Sequence, residues 1–68
     1  MRVKVVLVPE GSERSLELPK GARILDVLKK LGLNREMHVV KLNGEVVVEE
    51  EALRDGDVLE VIRVVSGG

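Results

Sequence analysis

The residues best suited to chemistry stand at the end of the chain. Ser66-Gly67-Gly68 follow directly on an apolar, strand-like run, Val58-Leu59-Glu60-Val61-Ile62-Arg63-Val64-Val65. With glycine at about 7% of residues in average proteins, two terminal glycines arise by chance in roughly one chain in 200. Glycine lacks a Cβ and accepts nearly any backbone conformation. A Gly-Gly end is therefore a thin arm carrying a bare α-carboxylate. Such an arm threads a channel too narrow for side chains and presents its carboxylate to another protein's active site. The same three residues also suit an ordinary frayed terminus, so the tail alone leaves both readings open.

Elsewhere the chemistry-bearing residues are sparse. His38 is the single histidine and there is no cysteine. A lone imidazole without thiolates or clustered carboxylates makes a poor metal site, so His38 is expected at the surface or a strand edge. Asp55 and Asp57 flank Gly56, and aspartates beside a glycine in a tight turn are turn formers before they are an acid–base pair. Glu49-Glu50-Glu51 reads as a solvated turn, with complementarity to a basic patch on a partner as the alternative. Lys4, Lys20, Lys29, Lys30 and Lys41 are acylation acceptors only in the sense that any exposed lysine is. Lys41-Leu42-Asn43-Gly44-Glu45 lacks the glycine-rich loop ending in Lys-Ser or Lys-Thr that cradles phosphate. No catalytic constellation emerges, and an enzyme is the reading these residues support least.

Size and composition narrow the classes further. A chain of 68 residues buries only about 60% of its unfolded surface. That gives one compact core and little room for a pocket of several hundred cubic ångströms. Phe, Tyr and Trp are absent, which removes the stacking platforms that bind single-stranded nucleic acid. Eleven basic residues are interspersed among twelve acidic ones, for a net charge of −1. Phosphate-backbone binding leaves a basic stripe, and none is present. No apolar run approaches the length of a membrane span. Met1-Arg2-Val3-Lys4 enters a strand pattern at once and lacks a signal-peptide layout. These features predict a cytoplasmic protein, monomeric when free, without nucleic-acid or membrane partners.

The elements that must hold the tail out can be read from periodicity. Arg2 to Val8 is a valine-rich strand, with Val3, Val5 and Leu7 on one face and Lys4, Val6 and Val8 on the other. Pro9 to Glu13 is a turn, and Arg14 to Leu18 alternates with Leu16 and Leu18 inward, closing a hairpin. After Pro19-Lys20-Gly21, Ile24, Val27, Leu28 and Leu31 form one helical stripe on a helix starting at Ala22 or Arg23. Lys29 and Lys30 complement the dipole in its last turn, and Gly32 is placed to be a left-handed cap. Leu33 to Glu36 reads as a loop, Met37 to Leu42 as a third strand and Glu45 to Val48 as a fourth. Asn43-Gly44 between them is the strongest short hairpin signal. Glu49 to Leu53 reads as one helical turn with Leu53 inward. Asp55-Gly56-Asp57 is a sharp turn, and Val58 to Val65 is the last strand.

Hairpin, helix, hairpin and long final strand predict an α+β fold. One helix covers one face of a mixed sheet of four to five strands. The first and last strands share no tight connection and can lie parallel at the centre. This is the β-grasp arrangement, with a globular domain over 1–65 and a tail over 66–68. Parity then predicts a partner-binding surface. If Leu59 and Val61 face the helix, Val6, Ile62 and Val64 face away and form an exposed apolar patch beside the tail. The alternative is ordinary β-propensity valine on an open sheet face.

Three strings carry a family resemblance: Leu42-Asn43-Gly44-Glu45, Leu53-Arg54-Asp55-Gly56-Asp57-Val58-Leu59, and Val64-Val65-Ser66-Gly67-Gly68. Together they resemble the ubiquitin-like sulfur-carrier proteins. The pattern is closest to the thiamine-biosynthesis (ThiS-type) carriers, with the molybdopterin-synthase small subunit (MoaD type) and the small archaeal ubiquitin-like modifiers as near relatives. The resemblance spans nearly the whole chain and is specific in its second half. It implies an activated C-terminus at Gly68 and Gly67, with Ser66 as part of the tail and no catalytic residue in the chain. The implied partners are an E1-like adenylating enzyme, a sulfur donor, and a sulfur-accepting biosynthetic enzyme or target lysines. ATP and Mg would be used by the activating partner, and the chain itself would bind no cofactor or metal. Sulfur would pass to thiamine, molybdopterin or tRNA synthesis. One alternative is a protein modifier joined to lysines through Gly68, and another is a β-grasp interaction module whose terminus is never activated.

Overall fold

The computed structural model describes residues 1–65. Strand β1 (Arg2–Val8) and strand β2 (Ser12–Glu17) are followed by helix α1 (Ile24–Leu31) and a 3-10 turn (Arg35–Met37). Strands β3 (His38–Leu42), β4 (Glu45–Val47) and β5 (Val58–Arg63) complete the fold. The five strands form one mixed sheet in the order β2-β1-β5-β3-β4. First and last strands pair in parallel, from Lys4↔Val58 to Val8↔Ile62, and every other pairing is antiparallel. This is the β-grasp topology that the element order predicts.

Each element follows from local chemistry. In α1 the apolar stripe puts Ile24, Val27 and Leu28 inward, and all three are buried. Asp26 in the first turn accepts the Arg23 backbone N–H at 2.8 Å, which satisfies one donor outside the helical ladder. Gly32 closes the helix in the left-handed region, at φ 69 and ψ 30, where a Cβ would be strained. Asn43 and Gly44 both take positive φ, 51 and 88, and Leu42 pairs with Glu45 across them. The Asn-Gly signal thus marks a two-residue hairpin.

The core lies between α1 and one sheet face. It is built from Val3, Val5, Val40, Leu59 and Val61 on the sheet, Ile24, Val27 and Leu28 on the helix, and Leu18, Ala22 and Leu53 from the connections. Full burial of a Val, Leu or Ile side chain contributes about 1.5–3 kcal/mol, so this apolar set outweighs any exposed ion pair, worth about 0–1 kcal/mol.

Several boundaries differ from the sequence expectation, each for a tertiary reason. Glu49 to Leu53 forms no helical turn. Its backbone instead serves α1: the Glu51 and Glu49 carbonyls accept the Ile24 and Leu25 N–H groups at 3.0 and 2.9 Å. Arg23 forms a β-bridge with Ala52, and Leu53 donates to the Ala22 carbonyl at 2.9 Å. A segment committed to capping another helix cannot close its own i→i+4 bonds. Leu53 is buried as expected. Strand β5 ends at Arg63 rather than Val65, because its neighbours end there: β1 pairs only as far as Ile62 and β3 as far as Arg63. The loop after α1 contains the Arg35–Met37 turn, whose entry is fixed by Asn34 Oδ1 accepting the Glu36 N–H at 2.9 Å.

The Asp-Gly-Asp turn sets the register of the central strands. Asp55 Oδ1 accepts the Arg2 N–H at 2.7 Å. Gly56 donates to the Arg2 carbonyl at 2.8 Å, and the Asp57 carbonyl accepts from Lys4 at 3.0 Å. Asp57 also accepts from the Arg54 N–H at 2.8 Å and from Asn43 Nδ2 at 3.0 Å. Asn43 Oδ1 in turn accepts the Val58 N–H at 2.9 Å. Both aspartates are turn formers, and the two sharp turns of the chain are clasped to each other.

Asp57→Ala is expected to lower the unfolding free energy by about 1–2 kcal/mol, the worth of charge-assisted hydrogen bonds at a partly exposed site. Leu59→Ala is expected to cost about 2–5 kcal/mol. Urea denaturation measures both, and an Asp57→Ala loss below about 0.5 kcal/mol would mean that backbone bonds alone hold the clasp.

Candidate functional site

Among the described residues, no element forms a layer over the sheet face turned away from α1. Strand pairing places Val6 opposite Glu60 and Val8 opposite Ile62. Ile62 lies opposite Val39, and Glu60 opposite Lys41. Because alternate residues face opposite sides, these side chains share the open face, while Val5, Leu59, Val61 and Val40 face the core.

Parity places Val6 and Ile62 on this face, and Val64 follows one residue beyond the end of β5. Val6 and Ile62 are half-buried by their neighbours, and Val64 is 42% exposed. The structure adds Val8 and Val39, the latter 40% exposed, so the apolar group is Val6, Val8, Val39, Ile62 and Val64. Val39 escaped the sequence reading, since the inward face of the third strand is undefined until its register with β5 is known. The available signal was its adjacency to Val40 in a period-two strand. Ser66, Gly67 and Gly68 lie outside the described residues.

The chain remains tied to the body up to Val64. Its N–H donates to the Met37 carbonyl at 2.9 Å, one residue beyond the last strand pairing of β5. Ile62 and Val64 of the apolar group thus belong to the segment that leads in sequence to residues 66–68, with Val8 and Val39 flanking Ile62.

The same face also carries charge. Val8, Ile62 and Val39 lie together toward the C-terminal ends of β1 and β5, and charged residues are interspersed with Val58 and Val46 toward their N-terminal ends. Among these charged residues, Arg2 meets Glu17 at 3.8 Å and Lys4 meets Glu13 at 2.6 Å. Such exposed pairs add little stability but fix where charge sits.

A cleft of about 260 Å³ opens at the C-terminal ends of β1 and β5, lined by Leu7, Leu33, Val61, Glu10, His38 and Arg63 among others. His38 is half-buried at the start of β3, and its Nδ1 lies 2.7 Å from the Asn34 carbonyl. A carbonyl only accepts, so Nδ1 carries the proton of this bond. The ring is a strand-edge brace, as its isolation in the sequence predicts. No group of three or more His, Cys, Asp or Glu side chains able to hold a metal ion lies among the described residues. The Glu49-Glu50-Glu51 run is partly engaged within the chain: Arg35 bridges Glu49 and Glu50, tying the turn before β3 to the connection after β4. No helix among the described residues is long and apolar enough to cross a membrane.

Comparison with known proteins adds to this geometry. The sequence model of the ThiS family matches residues 5–68. The chain belongs to the ThiS family. It is 38% identical over 68 residues, the whole of both chains, to the sulfur carrier protein TtuB of Thermus thermophilus. Among solved structures it resembles a putative molybdopterin converting factor, subunit 1, from Pyrococcus furiosus, with a TM-score of 0.76 and 27% identity over 94% of this chain and 98% of that one. SAMP1 of Haloferax volcanii superposes with a TM-score of 0.78 at 22% identity over the whole of both chains, a likeness of fold. The ubiquitin-like, sulfur-carrier family expected from the Asn-Gly, Asp-Gly-Asp and Gly-Gly strings is the one to which this ThiS-family chain belongs.

The Val64 anchor has a direct readout. The Val64 amide is expected to exchange with solvent at least about tenfold more slowly than an unstructured amide, as a bonded sheet-edge N–H does. Hydrogen-exchange NMR checks this, and exchange at the unprotected rate would place the end of ordered structure before Val64.

Proposed function

We infer that this ThiS-family chain is a sulfur carrier whose Gly68 carboxylate is activated by an E1-like adenylating enzyme and converted to a thiocarboxylate. The observation that carries the reading is the family match running to residue 68, which takes in Gly67-Gly68, downstream in sequence of the strand that ends beside the apolar group of the open face.

Carboxylate chemistry explains the need for activation. A carboxylate is a poor electrophile because its leaving group would be oxide. Attack of a Gly68 oxygen on the α-phosphorus of ATP forms an acyl–phosphate bond, breaks the α–β anhydride and releases pyrophosphate. Sulfur at the hydrosulfide level then adds to the carbonyl carbon. The bond to phosphate breaks, AMP leaves with its electron pair, and a thiocarboxylate remains. The activating partner supplies the metal and the electrostatic stabilisation for these steps. This chain supplies a reachable end and a docking surface.

For that surface the reading assigns Val6, Ile62 and Val64, now joined by Val8 and Val39. Three tail residues extend about 10 Å at roughly 3.4 Å each, enough to reach a partner's site from a body docked by its open face. The same activation supports transfer to lysine amines as a second outcome, in which Gly68 forms an isopeptide bond. The recipient of the sulfur, whether thiamine, molybdopterin or tRNA synthesis, follows from the partner enzymes.

Deleting Gly68 is expected to leave thermal unfolding within about 0.5 kcal/mol of the parent, as for a surface change, and to abolish ATP–pyrophosphate exchange with the activating enzyme of the same organism. Carrier purified from that organism should include a species about 16 Da heavier, one oxygen replaced by sulfur. Full exchange activity in the deletion variant would overturn the reading. Isopeptide remnants on other proteins without the heavier species would move it to the modifier.

A further inference from the structure

Among the described residues, two charged side chains on the open face are in no ion pair. Six charged residues face that side: Arg2, Lys4, Glu13, Glu17, Lys41 and Glu60. Arg2–Glu17 and Lys4–Glu13 are paired. Glu60 and Lys41 are cross-strand neighbours on β5 and β3, yet neither is among the ion pairs within 4 Å in the described residues. Both are half-buried, and Glu60 stands on the middle strand of the sheet, between Val6 and Lys41 across the strands. Its neighbours along that face of β5 are Val58 and Ile62.

A half-buried carboxylate flanked by Val6, Val58 and Ile62 on three sides, with Lys41 on the fourth and not within ion-pair distance, is costly to cover unless a cation meets it. Any protein that docks on Val6, Val8, Val39 and Ile62 covers Glu60 and Lys41 as well, since all occupy adjacent positions of one flat surface. We propose that the activating partner presents a basic side chain to Glu60 and an acidic one to Lys41, beside an apolar contact on Val6, Val39 and Ile62. The inference rests on the open-face docking reading above and goes further by naming the partner's chemistry. Cross-strand neighbours sit about 5 Å apart, so the partner's two charges must be adjacent and ordered. That order selects one of the two ways of laying the sheet on an apolar partner surface, the way that turns the end of β5 toward the nucleotide. The apolar contact supplies area, and the ordered charges supply orientation.

The decisive variant reverses the order without changing the inventory. Exchanging the pair, Lys41→Glu with Glu60→Lys, keeps net charge, side-chain length and cross-strand neighbourhood. If the two charges serve only each other, the exchange is neutral. The assay is ATP–pyrophosphate exchange by the adenylating enzyme of the same organism, with this chain as varied substrate. The exchange is expected to raise KM at least about tenfold, rather than lower kcat, since misordered charges oppose docking. Glu60→Gln, which conserves shape, should raise KM about threefold or more and weaken its dependence on salt. It guards against a fold defect in the double variant. Ile62→Asp, checked for folding by thermal melting, tests the docking face itself. A neutral pair exchange with a neutral Glu60→Gln, alongside a raised KM for Ile62→Asp, overturns the charge proposal and leaves the docking face standing. Unchanged KM in all three variants overturns the docking face and the proposal with it. Absence of exchange with the parent chain overturns the activation reading on which both stand.

Discussion

The fold depends on the parallel pairing of its first and last strands. Parallel neighbours cannot be joined by a tight turn, so everything between β1 and β5 is inserted between two strands that must find each other across the length of the chain. The Asp-Gly-Asp turn enforces their alignment. Asp55, Gly56 and Asp57 each bond to the first residues of β1, so β5 begins opposite Lys4 and nowhere else. A slip by one residue would turn Leu59 and Val61 outward and bury Glu60. The core and the composition of the open face are thus set by one turn.

One helix then covers one side. All of the buried apolar residues lie on that side or in the connections beside it, and the opposite side keeps valines and isoleucine that packing does not consume. Val8, Val39 and Ile62 of that side lie where β5 ends and Val64 is held by Met37. A body built this way has a closed face that supplies stability and an open one that supplies contact. The family to which it belongs uses such bodies as sulfur carriers.

Much of this was legible in the sequence because it is local. The helical stripe, Gly32 as cap, Asn43-Gly44 as hairpin and the aspartates as turn formers each follow from residue type and spacing. That Val6 and Ile62 share one sheet face followed from strand parity once the topology was assumed. What failed was long-range. Glu49 to Leu53 carries a helix-compatible sequence, but its carbonyls are claimed by the first N–H groups of α1. Val39 could be assigned to a face only through its pairing with Ile62. Arg35 joins Glu49 and Glu50 across a gap that no periodicity bridges. The activated terminus was read from three residues that lie outside the described structure, so its support comes from family membership and not from geometry.

The bond between Val64 and Met37 bears on how attached copies of this chain would be recognised by digestion. Trypsin cuts after Arg63, and a protease must draw several residues around the scissile bond into an extended strand of its own. Here the nitrogen of that bond is already occupied by Met37, and Arg63 is paired with His38 in the sheet. In the native state the cut is therefore gated by fraying of the last strand. Mass-spectrometric mapping would release the stub from Val64 to Gly68 faster after denaturation than in a native digest, where each cut waits on that opening.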